Sequence, residues 1–279
     1  MFAQYSFSRL GAEFWAMVKY VSEGLGYTNR QQGNVRIFTE DDICKLCRET
    51  NAKISDDYIR AISDYSRWRA ETLNDFVRPN LMDSEQARSV FENLYVLHQR
   101  KGFACKLPMN KQSGTKKQIN FFAAIINIIT EDILSNMGII RKHPGFDDDP
   151  GGLAYVMDNQ GQIVGATSRR FDGAFPTIYN PEIIWEIKEY YYATTFGSRV
   201  ADGVYETQLD GFEFKDIYNR TGIKVYHVLF IDAYRTWWIQ GKSYLCRIMD
   251  AMNSGLVDEV IVGREVLTRW PELLHERLR

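Results

Sequence analysis

The chain has 279 residues, 45% hydrophobic and 25% charged, with a formal net charge of −2. These values suit a soluble globular protein built as one large domain or as a core with a second lobe. They exclude a global basic field, although a local basic groove can coexist with acidic metal ligands elsewhere.

The first segment, MFAQYSFSRLGAEFWAMVK, is interrupted by Arg9, Glu13 and Lys19 and has no continuous apolar run of the signal-peptide kind. The longest apolar run, Phe121 to Ile129, is far too short for a bilayer. The expectation is a soluble, cytoplasmic protein with no membrane partner. Thr39-Glu-Asp-Asp42 reads as a capping-box-like start, with Asp in place of Glu or Gln, for a helix reaching about Thr50. Cys44 and Cys47 form a CxxC inside that helix. No second CxxC or paired His follows, so reduced thiols are expected rather than zinc. Ser55 can cap a long helix that stops before Pro79. Asp83 can cap another that runs to Gly102.

Leu107 to Lys117 is polar and basic and reads as a loop. The next segment, INFFAAIINIITEDILSNMG, is apolar on most sides and predicts a buried helix ended by Gly138. Residues 153–158 and 162–167, joined by a turn at Asn159-Gln-Gly161, predict a hairpin. A strand over 182–190 would complete a three-stranded meander. A helix over 198–218, a strand over 225–233, a helix ended by Gly255, a strand over 258–263 and a last helix interrupted by Pro271 follow. The fold class expected is α/β (α+β), a mixed central sheet flanked by helices. A helical N-terminal lobe would span 1–116 and a core 117–279.

The chemistry concentrates in FDGAFPTIYNPEIIWEIK, Phe171 to Lys188. On a strand, Ile184, Glu186 and Lys188 share one face, with Glu186 and Lys188 roughly 7 Å apart. A return of about a dozen residues could bring Asp172 beside Glu186. Two carboxylates and the backbone carbonyl of Ile187 make a hard-oxygen site suited to Mg²⁺. Such an ion can polarise a phosphodiester oxygen and lower the pKa of a bound water, with Lys188 offsetting transition-state charge. The bland alternative is a Glu186–Lys188 ion pair on the solvated face of an edge strand. Ile184 and Tyr190 to Tyr192 argue instead for a central strand, where charges are costly unless they pair or work.

Asp172 followed by Glu186-Ile187-Lys188 resembles the PD-(D/E)XK nuclease superfamily, which includes many type II restriction endonucleases. The resemblance covers roughly residues 117–263. It implies a restriction-endonuclease-like core with Asp172 and Glu186 as metal ligands and Lys188 as the catalytic lysine. Glu131 occupies a position comparable to the acid that some members carry on the helix before the meander. The residue before Asp172 is Phe171 rather than Pro. Gln208 is followed four residues later by Phe212, not Tyr, so the RecB-like subgroup is not assigned. A second triplet, Glu213-Phe214-Lys215 after Asp210, falls in a helical stretch, where i and i+2 do not share a face.

Arg169 and Arg170, Arg199, and the loop residues Lys111, Lys116 and Lys117 are candidate DNA contacts, with a solvated turn, an ordinary helix start and a solvated linker as the respective alternatives. Asp147 to Asp149 read as a solvated loop. His227 reads as a core histidine, and Trp237 and Trp238 as core or interface aromatics. The function expected is a Mg²⁺-dependent endonuclease of restriction type acting on double-stranded DNA. A homodimer and a cognate DNA methyltransferase would be its partners. The alternatives are another defence or repair nuclease of the superfamily, or a noncatalytic DNA-binding subunit.

Overall fold

The structure, a computed structural model, describes residues 1–29, 33–112, 115–139, 144–192 and 198–278, and their side chains apart from 110–112, 115–118 and 198. The N-terminal part is helical: α1 (Tyr5–Ser8), α2 (Ala12–Leu25), α3 (Glu40–Thr50) and α4 (Asp56–Glu71). A short strand pair, β1 (Thr28–Asn29) and β2 (Asn34–Val35), lies between α2 and α3. The capping box at α3 forms as expected: Thr39 Oγ1 accepts from the Asp42 N–H at 3.1 Å, and Asp42 Oδ2 accepts from the Thr39 N–H at 3.4 Å. Ser55 stands at the N-cap of α4 but makes no side-chain capping bond. Phe14, Ile43, Ile62 and Tyr65 close a core inside this lobe.

The chain does not leave the helix before Pro79. A π-helical turn, Thr72–Val77, carries it into α5 (Arg78–Asn80). A proline ring collides with the carbonyl four residues earlier in a regular helix. In the widened turn the Arg78 N–H reaches back to the Leu73 carbonyl, and Pro79 falls at the start of α5, a position that tolerates proline. Then α6 (Ser84–Lys101) starts at the Asp83–Gln86 capping box and ends at Gly102.

The expected loop at 107–117 is instead a hairpin, β3 (Met109–Gln112) with β4 (Thr115–Ile119). Its alternation is invisible because the only apolar residues, Met109 and Ile119, are register partners at the open end. Helix α7 (Phe121–Asn136) is buried along most of its length, and Gly138, at φ 68°, follows its end.

The expected three-stranded meander does not form. β6 (Tyr155–Met157) and β7 (Ile163–Ala166) form a separate sheet of two, with a lone bridge from Tyr155 to Tyr179. The central sheet contains β5 (Asp147–Asp148), β8 (Gly173–Phe175), β9 (Ile183–Glu189), β10 (Tyr226–Asp232) and β11 (Glu259–Val262), in the order β11-β10-β9-β8-β5. β9, β10 and β11 are parallel; β8 pairs antiparallel with β9, and β5 antiparallel with β8. Asp147 and Asp148 are therefore a sheet edge and not a solvated loop. Asp147 Oδ2 accepts from the Ile178 N–H at 2.7 Å, and Asp148 Oδ2 from the Lys106 N–H at 2.5 Å. Strands of two and three residues are too short to show a period-2 pattern.

Helix α8 (Ser198–Thr221) crosses over from β9 to β10, and α9 (Lys242–Asn253) from β10 to β11. A 3₁₀ turn, Gly263–Leu267, precedes α10 (Arg269–Arg277). Pro271 lies in the first turn of α10, where its missing N–H has no intrahelical partner to lose. Helices α6, α7 and α10 cover one sheet face through Trp185, Phe230, Ile261 and Trp270. Helix α9 and Trp237 cover the other through Leu229, Ile231 and Val260. Trp237 and Trp238 are both core residues. No helix among the described residues is long and apolar enough to cross a membrane.

His227 on β10 is a core histidine, packed edge-on against Phe171 and beside Phe214. Nδ1 lies 3.2 Å from the Leu256 carbonyl, and Nε2 is buried without a partner. Burial drives its pKa down to about 4. The unfolded chain therefore takes the proton first. This contribution to stability is complete above the unfolded value of about 6.5 and is lost as pH falls towards 4, about 3 kcal/mol in all. His227→Phe is expected to flatten the acid limb of stability in denaturant titrations between pH 7 and 4.5. An unchanged limb would assign the loss to other groups.

Candidate active site

β9 is a central strand, as the sequence predicts. Ile183 and Trp185 face the α7 core, while Ile184, Glu186 and Lys188 point to the face covered by α8. The register pairs Gly173 with Trp185, which sets Asp172 opposite Glu186. Glycine is required after the acid: a Cβ at Gly173 would stand 2.1 Å from the Trp185 ring. The chain leaves the sheet at Asp172. Its N–H donates to the Trp185 carbonyl at 3.1 Å, and its Oδ2 accepts from the Ile187 N–H at 2.7 Å, where a strand carbonyl would otherwise sit. The Ile187 carbonyl shares that edge of β9, because N–H and C=O of one strand residue point the same way.

Glu186 and Lys188 are 4% and 7% exposed and belong to a charge network. Lys188 Nζ donates to Glu186 Oε1 at 2.5 Å and to Glu206 Oε2 at 2.6 Å. Arg169 donates to Glu186 Oε1 at 2.6 Å and to Asp210 Oδ2 at 2.8 Å, and lies 3.4 Å from Glu206. Glu206 and Asp210 are four apart on α8 and so share a face. α8 comes close to its neighbours because Gly211 carries no Cβ; one there would stand 2.2 Å from the Leu256 carbonyl. The second triplet lies on this helix, as expected. Its Phe214 is buried, and Glu213 accepts from the Ser168 N–H at 3.0 Å.

Three carboxylates, Glu186, Glu206 and Asp210, thus face two cations, Arg169 and Lys188, and Asp172 stands opposite Glu186 in the β8–β9 register. Loss of water, and then the charge of Glu186, raise the Asp172 carboxyl to about 8. Burial raises Asp210 to about 7 against the pull of Arg169, and its Oδ1 is buried with no hydrogen-bond partner. Burial opposes the Lys188 charge, but Glu186 outweighs it and holds the ammonium above the ordinary lysine range.

On the α7 side of β9, half-buried Asp172 lines a cavity of about 600 Å³ with Ile187, Glu189, Asn127, Asn120 and Lys106. Glu189 accepts from the Phe122 and Ala123 N–H groups at 3.1 and 3.3 Å, anchoring the start of α7. Burial raises its carboxyl to about 8. Asn127 Oδ1 is buried without a partner. The polar α7 residue lining this cavity is therefore Asn127, beside Ala123. Glu131 lies one turn further on, with its two oxygens accepting from the Ala104 and Cys105 N–H groups at 3.0 and 2.8 Å.

The remaining sequence candidates are dispersed. Arg169 is bound to carboxylates and not presented to solvent phosphates, whereas Arg170 and Arg199 are exposed. The side chains of Lys111, Lys116 and Lys117, and all of Ser113 and Gly114, lie outside the described residues. Sequence reading passed over Glu206 and met Asp210 only as part of the second triplet, although acids four apart on the helix after the motif strand were a usable signal. Nothing in the sequence marked Asn127.

The residues present fit a divalent cation. With Asp172 counted beside the network, the site carries two more carboxylates than cations, and burial raises Asp172 and Asp210 so that protons on them can meet that excess. Asp172, Glu186 and the Ile187 carbonyl would supply hard oxygen ligands.

A family model described as a domain of unknown function (DUF7687) matches residues 82–277, and a second one so described (DUF7690) matches residues 1–76. The two matches part just before α6, whereas the sequence expectation divides the chain after residue 116. No curated protein and no solved structure matches the chain.

Proposed function

We propose that this chain, which belongs to the DUF7687 family, is a Mg²⁺-dependent nuclease of double-stranded DNA centred on Asp172, Glu186 and Lys188. The observation that carries this reading is the sheet register. It sets Asp172 opposite Glu186, with Lys188 beside them on a central strand, and leaves their carboxylates in excess of the cations around them. An idle surface pair would be solvated and worth little; here Glu186 and Lys188 are buried, and the carboxyls around them outnumber the cations, with Asp172 and Asp210 raised towards their protonated forms. The order α7, β8, β9, α8, β10 supports the resemblance seen in the sequence.

In this reading Asp172, Glu186 and the Ile187 carbonyl would hold Mg²⁺. The ion polarises a phosphodiester oxygen when bound. Lys188 keeps its proton at Nζ and sets positive charge against the phosphoryl group as it gains charge. Arg169 and Glu206 orient Glu186 and Lys188. Two copies related by a two-fold axis would cut one strand each, consistent with a cytoplasmic restriction enzyme and a methyltransferase partner. Incubation of mixed-sequence duplex DNA with the protein is expected to give discrete fragments with Mg²⁺ and none with EDTA. Intact DNA across varied sequences, from well-folded protein, would remove the nuclease reading.

The closed network of Arg169, Lys188, Glu186, Glu206 and Asp210 favours one second reading, a noncatalytic DNA-binding subunit that keeps the fold. Metal-independent binding without cleavage would select it.

A further inference from the structure

A second polar cavity, of about 530 Å³, opens among Asn74, Arg78, Asp83, Gln86, Tyr234 and Arg264. Arg78 belongs to α5, and Arg264 follows β11 directly. Both are exposed; among the described residues neither lies within ion-pair distance of a carboxylate, although the pKa of Asp232, raised by burial, is pulled down in part by the charge of Arg264. Arg78 and Lys242 lie over the same ring, Trp238, at 5.6 and 4.8 Å. The acids nearby are engaged: Asp83 Oδ1 accepts from the Gln86 N–H at 2.8 Å. Buried Asp232 accepts from the Met82 and Ala233 N–H groups and from the Tyr191 hydroxyl. Asn74 Oδ1 is buried with no partner. A half-turn of that amide presents its NH₂ instead.

The position is informative. Arg264 and Tyr234 stand just past the carboxyl ends of β11 and β10, and Lys188 stands near the carboxyl end of β9. Ligands of open parallel sheets bind outside those ends. β11 lies two strands from β9, about 10 Å along the sheet edge, or roughly three base steps of a nucleic-acid strand.

We propose that Arg78 and Arg264 form a phosphate-binding site for the backbone of duplex DNA, on the same sheet edge as Lys188. The choice of DNA rests on the proposed nuclease reading; the cationic cavity does not. Guanidiniums match phosphate oxygens in planar, bidentate geometry, and such contacts fix position without reading sequence.

The test is equilibrium binding of a fluorescent duplex in EDTA over a range of salt, comparing wild type with Arg78→Ser/Arg264→Ser. Cleavage plays no part in the readout, so failure of the nuclease reading leaves the result interpretable. The expected result is weaker binding, about tenfold or more at low salt, with the log–log salt slope reduced by about two. Both side chains are exposed, so the melting temperature is expected to stay unchanged. Arg78→Lys/Arg264→Lys should retain the salt slope and lose part of the affinity. Unchanged duplex affinity and slope would overturn the proposal. So would a change confined to stabilisation by inorganic phosphate or pyrophosphate, which would make a small free phosphate the guest.

Discussion

Lys188→Ala is expected to lower Mg²⁺-dependent DNA cleavage by about 10²–10⁴-fold while leaving duplex binding in EDTA within a fewfold of wild type. The ammonium is held charged by Glu186 at 2.5 Å and Glu206 at 2.6 Å, beside the Asp172–Glu186 pair. Its removal is tolerable to the fold. Glu186 keeps Arg169 at 2.6 Å, and Glu206 is 41% exposed and returns to water. Lys188→Arg is not expected to rescue cleavage. The lysine stem already touches α8 closely enough that a Cβ at Gly203 would stand 3.3 Å from its Cδ and Cε, and the guanidinium fork needs more room. Gel-resolved cleavage, anisotropy binding and thermal melting of the variant form one experiment. Cleavage lost with binding and melting preserved supports the catalytic role. Joint loss of all three would make the Glu186–Lys188 pair a structural element of the sheet.

The part of the fold that could be read in advance is the part written in long, periodic segments. Helix α7 announced itself by apolar residues on most sides, and β9 and β10 by β-branched and aromatic runs. The candidate site was legible to the same extent, since Asp172, Glu186 and Lys188 lie in one short stretch and strand alternation puts the last two on one face. What was not legible depended on pairing. β8 has three residues and β5 two, so neither shows a rhythm, and the more regular hairpin 153–167 took their place in the expected meander. Arg169 looked free for phosphate, yet its partners Glu186 and Asp210 lie 17 and 41 residues away. The roles of Asn127 and Glu131 differ by a single turn of α7. Only the packing of 104–107 and β9 against that helix decides which of them faces the cavity.

Asp250→Ala is expected to destabilise the protein by about 3–5 kcal/mol, the largest stability effect argued for this chain. Arg69 on α4 is fully buried, and its Nη1 donates to both Asp250 oxygens, at 2.9 and 3.2 Å. The Tyr65 hydroxyl donates to Asp250 Oδ1 at 2.7 Å, and the rings of Tyr27, Phe38 and Tyr65 surround the guanidinium. Arg69 Nε has no partner, so the guanidinium depends on Asp250 and Ser22 for its polar contacts. Without the carboxylate, an arginine that cannot lose its proton stays buried and uncompensated. Arg69→Met with Asp250→Leu should recover much of the loss, because removing both charges also removes the desolvation cost. The pair joins residue 69, inside the 1–76 match, to residue 250, inside the 82–277 match. Urea unfolding of wild type is therefore expected to be a single transition by fluorescence and circular dichroism. In Asp250→Ala the helical lobe should melt first and separate the two signals. A single-variant loss below about 1 kcal/mol, with coincident transitions, would mean that water reaches the pair and that the apolar contacts between lobe and core hold them together without it.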